Sequence, residues 1–169
     1  STYEGNLSIS GFYLTGELFG LDTLGETVHT TDAIALERTW VCEIPVSQLE
    51  SLCTDIPQLQ HQVFSLLSNR LRHSEQMSFT TSNTSAEQRV MCFLNDLYQR
   101  TSKRMGAITE IRLPMRKVDI ANFLALTPEH FSRILRDFEN SGLIRNRFRS
   151  IEYLDAFAVR HRCLQANAR

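Results

Sequence analysis

The sequence predicts an α+β protein, on three observations. Residues 117–144 (KVDIANFLALTPEHFSRILRDFENSGLI) carry two helical patterns around a tight turn. Residues 57–78 carry one long helical pattern, and residues 8–46 carry short alternating runs punctuated by glycine. Strand-like runs therefore precede helical ones, with a compact helix-turn-helix pattern near the C-terminus.

Taken in order, residues 8–46 divide into SISGFYL, TGELFGLDTLGE, DAIALE and TWVCEIP. Apolar and polar residues alternate at 32–37 and 40–44, and glycines at 11, 16, 20 and 25 mark turns. Residues 1–46 read as the latter part of an antiparallel β-roll. The chain starts at Ser1, without Met, inside this β-rich region, so further residues are expected upstream.

Residues 47–80 read as a linker and a dimerisation helix. A short helix covers 46–52 and a long one 57–78, with Leu59, Val63, Leu66, Leu67, Leu71 and Ser74 near one stripe. From periodicity alone such a seam is either core or a two-helix contact. The neighbouring helix-turn-helix favours a homodimer, because such modules read two half-sites by two-fold symmetry. Arg70, His73 and Ser74 make the lower seam polar, which makes association conditional. FTTSNT at 79–84 reads as a hinge.

Residues 81–160 read as a winged helix-turn-helix domain, followed by a tail at 161–169. Ser85 and Gln88 form a capping-box pattern before a helix that turns Val90, Phe93, Leu94 and Leu97 inward, with Cys92 as a small packed residue. Residues 110–113 read as a strand ended by Pro114. In the helix-turn-helix, Ile120 and Leu124 share one face, Ala121 lets the helices approach, and Leu126 sits in the turn. Thr127 is a good N-cap, Pro128 suits the first helical position, and Glu129 suits the positive dipole end. Phe131, Ile134, Leu135 and Phe138 form the buried stripe. Glu129, Ser132, Arg133 and Arg136 are left on the open side, where they reach base edges and phosphates. LIRN and RSIEYL then read as a hairpin wing, with Arg145, Arg147 and Arg149 available to phosphate.

Charge agrees with a nucleic-acid partner. The 169 residues carry a net charge of -1 overall. Residues 1–80 hold 3 basic and 10 acidic side chains, whereas residues 81–169 hold 15 and 9. A polyanion would meet the C-terminal half. The four cysteines (Cys42, Cys53, Cys92, Cys163) show no CxxC pair and no disulfide-framework spacing, which suits a reducing, cytoplasmic setting. No apolar run is long enough to span a membrane. The five histidines form no HExxH or HxH pair, and GxSxG, P-loop and GxGxxG sequences are missing, so an enzyme is disfavoured.

Together, GFYLTGELFGLDTL, the VCEIP segment, the long 57–78 helix and DIANFLALTPEHFSRIL…GLI resemble the Crp/Fnr family of bacterial transcription regulators. The last run is closest to the fumarate–nitrate reduction branch. The resemblance implies that the roll of residues 1–46 is a sensory domain, like that of cyclic-nucleotide-binding domains. It also implies that a Glu-x-x-Ser-Arg set, here Glu129, Ser132 and Arg133, reads a palindromic TTGAT-type site in double-stranded DNA. Arg133 would pair with guanine O6 and N7, Glu129 would accept from a base amino group, and Ser132 would contact thymine. Arg116, Lys117 and Arg136 would position phosphates, with Thr127 beside them.

The resemblance further implies a [4Fe–4S] oxygen sensor with Cys42 as fourth ligand and three upstream of Ser1, so no cluster is expected in these residues alone. Some relatives use haem, another effector or none. GETVHTTDAIALE has no arginine before Arg38, which disfavours a cyclic-nucleotide phosphate. RNA polymerase is implied as a partner of the 102–107 loop (SKRMGA) and the turn around Glu4–Asn6. Ala125 departs from the glycine usual between the helices.

Overall fold

The structure is a computed structural model that describes residues 9–21 and 28–166, with side chains described except at 73–83 and 164–166. The chain falls into two compact units, one made of residues 1–16 and 79–169, the other of residues 17–78.

In the second unit, helix α1 (Val46–Asp55) is followed by α2 (Pro57–Asn83), which continues beyond the unit. The α2 helix runs through most of the stretch read as a hinge. Helix propagation adds one backbone hydrogen bond per residue fixed, so a polar stretch extends a helix already nucleated. Leu59, Val63 and Leu67 are half-buried, Leu66 and Leu71 are exposed, and the Ser74 side chain lies outside those described.

The expected strands of 8–46 are not formed among the described residues, which run as irregular chain with turns and bends and no ladder pairing. Residues 28–45 are exposed throughout, and Trp40 is 92% exposed. Alternation requires a sheet neighbour and an apolar layer; it does not supply them. The part of the pattern at 22–27 lies outside the described residues.

The first unit is built on helix α3 (Ala86–Met105), strand β1 (Glu110–Arg112), helices α4 (Lys117–Phe123) and α5 (Pro128–Asn140), strands β2 (Ile144–Asn146) and β3 (Ser150–Tyr153), and helix α6 (Ala156–Ala166). The three strands are antiparallel in the order β1-β3-β2, with Ile111 opposite Ile151 and Ile144 opposite Tyr153. Ile111, Ile144, Ile151 and Tyr153 are buried on one sheet face against Leu94, Leu97, Phe131, Ile134 and Leu135 from the helices. Tyr153 also donates its hydroxyl to the Leu94 carbonyl at 2.7 Å, so its one polar atom is satisfied inside the core.

The α3 helix begins with a complete capping box: Ser85 Oγ accepts from the Gln88 amide and Gln88 Oε1 from the Ser85 amide. It runs on through residues 102–105, expected as a loop, because Lys103 and Arg104 favour the negative dipole end and Gly106, at φ 81°, supplies the stop. Residues 156–166, partly read as a tail, form α6, which packs on α3 with Val159 and Cys163 buried. Two findings were not expected at all. Phe12 is buried against Phe93 and Phe123, at ring-centre distances of 6.1 and 5.3 Å. Cys92 and Cys163, separated by 71 residues, are joined as a disulfide. Cys92 is buried, as a small packed residue should be, and is in addition bonded. Close packing of α3 on α6 brings the two Cα atoms to 5.0 Å.

Candidate nucleic-acid interface

The α4–α5 pair is a helix-turn-helix whose turn is held by backbone geometry. After α4 the chain closes with Ala125 N–H on the Asn122 carbonyl (3.0 Å) and Leu126 N–H on the Ala121 carbonyl (2.9 Å). This is a Schellman closure, which requires a left-handed residue at its centre. Ala125 takes that role at φ 53°, the one non-glycine residue with positive φ among those described. Arg89 of α3 reinforces the turn, donating Nε to the Leu124 carbonyl at 3.0 Å and a guanidinium NH to the Thr84 carbonyl at 3.1 Å. Arg89 was not singled out by the sequence, because its partner is 35 residues away.

The α5 helix starts as its sequence dictates. Thr127 accepts the His130 amide at 3.2 Å and Pro128 fills the first turn. The hydroxyl of Thr127 is thus committed to the cap. Phe131, Ile134, Leu135 and Phe138 are buried, which forces residues 129, 132, 133 and 136 to the opposite face. Pro128, Glu129, Ser132, Arg133 and Arg136 line one open hollow of about 440 Å³. Glu129, Ser132, Arg133 and Arg136 are all exposed, and among the described residues none is engaged in a side-chain hydrogen bond or ion pair. In particular, Arg133 is not neutralised by Glu129 or Asp137. Two guanidinium forks, a carboxylate and a hydroxyl therefore present free hydrogen-bonding groups along the open face of α5 between Glu129 and Arg136.

Arg116 and Lys117 lie apart from this cluster, at the start of α4. Arg116 makes a two-pronged pair with Asp119 at 2.8 and 2.9 Å, which raises the guanidinium pKa and lowers that of the carboxyl. Arg116 remains well exposed, with its outer surface open to a phosphate. Lys117 donates to the Asn146 side chain at 2.8 Å, and partial burial pulls its pKa down despite nearby Glu139. The Asn146 amide in turn donates to Glu139 at 3.0 Å. Lys117 and Glu139 thus brace the hairpin β2–β3 against α4 and α5.

On the hairpin, Arg145 and Arg147 both donate to Glu152 Oε2 at 2.9 Å. The two guanidinium groups, Arg147 first, hold the Glu152 carboxyl below its ordinary range. At the tip Phe148 is 88% exposed, with the Arg149 guanidinium 5.8 Å from its ring centre. Cys42 is exposed and free, and among the described residues no three His, Cys, Asp or Glu side chains are grouped to hold a metal. The turn around Glu4–Asn6 lies outside the described residues. No described helix is long and apolar enough to cross a membrane.

Comparison with known proteins agrees with this geometry. Residues 88–162 match the Crp-like helix-turn-helix domain family. The chain is 37% identical over 160 residues to the fumarate and nitrate reduction regulatory protein of Salmonella typhimurium, covering 94% of this chain and 64% of that protein. It is also 37% identical over 154 residues to electron transport regulator A of Shewanella oneidensis, covering 91% and 62%. The chain thus spans somewhat under two thirds of the length of these curated relatives. Among solved structures, FixK2 from Bradyrhizobium japonicum is similar with a TM-score of 0.60 at 24% identity, covering 70% of this chain and 58% of that one. A CooA variant from Carboxydothermus hydrogenoformans is similar with a TM-score of 0.58 at 17% identity, covering 69% and 54%. At those identities the structures bear on the fold alone. Identity along nearly the whole chain and a matched domain agree: residues 88–162 are a Crp-like helix-turn-helix domain, in a chain similar over 94% of its length to the fumarate and nitrate reduction regulatory protein.

Proposed function

We propose that this chain is the DNA-reading and dimerising part of a transcription regulator that binds a palindromic TTGAT-type site as a homodimer. The observation that carries the reading is the α5 face. Glu129, Ser132, Arg133 and Arg136 stand exposed and unengaged around one hollow, on a helix whose opposite face is fully buried. Arg133 donates to guanine O6 and N7, Glu129 accepts a base amino proton, and Ser132 is short enough for close approach to thymine. Arg136 and Arg116 neutralise phosphate, and the contacts of Asn146 with Lys117 and Glu139 keep the wing in register with α4 and α5. Thr127 fixes the helix start and so the height at which Glu129 meets the groove.

The dimer forms along α2. Leu59, Val63, Leu66, Leu67, Leu71 and Ser74 lie near one stripe, and Leu66 and Leu71 are left exposed in the single chain. Burial against a second copy would remove that apolar surface from water. RNA polymerase is read as a further partner of the surface at the end of α3. Oxygen sensing enters only through Cys42, an exposed thiol able to supply one thiolate to a [4Fe–4S] cluster. The described residues do not make the rest of that site.

The test is binding of the chain to a fluorescent duplex carrying the palindrome, measured across a salt series. Expected is a log–log affinity slope of several units, set by the phosphates neutralised. Binding that ignores salt, or no binding with the dimer present, overturns the reading in favour of a protein-interaction module.

A further inference from the structure

The disulfide between Cys92 and Cys163 has no counterpart in the reading so far. Cys92 lies in the middle of α3 and Cys163 near the end of α6, both buried. The bond staples the last helix to the helix that organises the domain. The segment it closes contains β1, α4, α5, β2 and β3, which is to say the whole helix-turn-helix and wing. One turn before Cys92 on the same helix, Arg89 grips the α4–α5 turn through Leu124, and two residues after it the Leu94 carbonyl receives the Tyr153 hydroxyl. The α3 helix therefore carries the staple, the hold on the reading helix and the hold on the sheet.

We propose that Cys92 and Cys163 form a reversible dithiol–disulfide site, through which the thiol redox state of the surroundings sets how tightly α3 and α6 hold the DNA-reading helix. The link to DNA rests on the function proposed above; the exchange chemistry does not. A protein that reads chromosomal DNA works in a reducing compartment, where disulfides are transient and redox-responsive rather than structural. Access comes from α6. Cys163 is three residues from the end of that helix, flanked by exposed Arg160, His161 and Arg162, so opening of a terminal turn uncovers its sulfur.

The oxidant is a low-molecular-weight disulfide. The Cys163 thiolate attacks one of its sulfurs, breaking that S–S bond, forming a mixed disulfide and releasing one small thiol. The Cys92 thiolate then attacks the Cys163 sulfur, closing the internal bond and releasing the second small thiol. The two protons lost by the cysteines end on the two released thiols, and two electrons pass from the pair to the oxidant. Cys42 and Cys53 take no part and remain free.

The experiment equilibrates the whole chain with oxidised and reduced dithiothreitol at varied ratio, traps thiols by alkylation and reads mass and peptide linkage. Duplex affinity is measured in parallel. Expected are two alkylated cysteines at the oxidised end, with a Cys92–Cys163 linked peptide, and four at the reduced end, interconverting without denaturant. Duplex affinity should differ by about threefold or more between the two states. Cys163→Ala and Cys163→Ser should both abolish that difference while leaving the affinity of the reduced state. Thiols that never pair, a bond that resists excess reductant in the native state, or equal affinity in both states would each overturn the proposal. If neither state binds duplex, the proposed function fails and the DNA link with it, and the thiol titration alone decides whether the site exchanges.

Discussion

Replacing Ala125 by glycine should stabilise the DNA-binding domain, against the usual trend of glycine substitutions. Ala125 sits at φ 53° in the Schellman closure of α4, exposed, with no side-chain role in packing. An L-residue in the left-handed region costs roughly 1–2 kcal/mol through the clash of Cβ with the neighbouring carbonyl. Glycine removes that cost but adds about 0.4–1 kcal/mol of unfolded-state entropy. The net expectation for Ala125→Gly is about 0.5–1 kcal/mol of added stability. For a domain of this size that corresponds to roughly 2–8 °C in Tm. Calorimetry of the chain under reducing conditions reads it, with Ala125→Val as a control that should destabilise, because a β-branched residue suits positive φ worst. An unchanged or lowered Tm for Ala125→Gly would refute the strain argument.

Further expectations follow from other contacts. Arg89→Met should cost about 2 kcal/mol or more in a urea titration, since it strips a part-buried charged donor from the Leu124 and Thr84 carbonyls; a loss within error would mean that the turn holds itself. Tyr153 should make the domain sensitive to alkali. Burial raises its phenol well above the ordinary value of 10.0, so its contribution is fully present below pH 10 and falls as pH rises above that, where the unfolded chain ionises first. Tyr153→Phe should remove that alkaline loss, and a profile identical to the parent would contradict the assignment. Glu152→Gln should release Arg145 and Arg147 toward phosphate, strengthening binding to duplex of any sequence and steepening the salt slope; an unchanged slope would place those arginines away from DNA.

Legibility in the sequence followed the range of the interactions. The capping box of α3, the Thr127–Pro128 start of α5 and its buried stripe are encoded within one or two turns, and the structure reproduces them residue by residue. Arg89 on Leu124, Tyr153 on Leu94 and Cys92 with Cys163 are 35, 59 and 71 residues apart, and no local pattern announces a partner at that distance. The α6 helix starts on a local signal, the Asp155 carboxylate accepting the Ala158 amide at 2.8 Å, but it is held in place where Val159 and Cys163 meet α3, which no local pattern announces. The strand pattern of 32–37 and 40–44 shows the converse. Its alternation is plain in the sequence, yet the described residues there are exposed and form no strand ladder, because a strand exists only with a neighbour. The face of α5 was legible for a simple reason: once the apolar stripe is fixed, 3.6 residues per turn leaves Glu129, Ser132, Arg133 and Arg136 nowhere else to point.

Arg133→Ala decides whether this face of α5 reads bases. Affinity of parent and variant is measured for a palindromic TTGAT duplex and for a scrambled duplex at one salt concentration. The variant should lose about 1–3 kcal/mol on the palindrome and little on the scrambled duplex, since a bidentate base contact carries discrimination and a phosphate contact does not. Equal loss on both duplexes, or none on either, would contradict it.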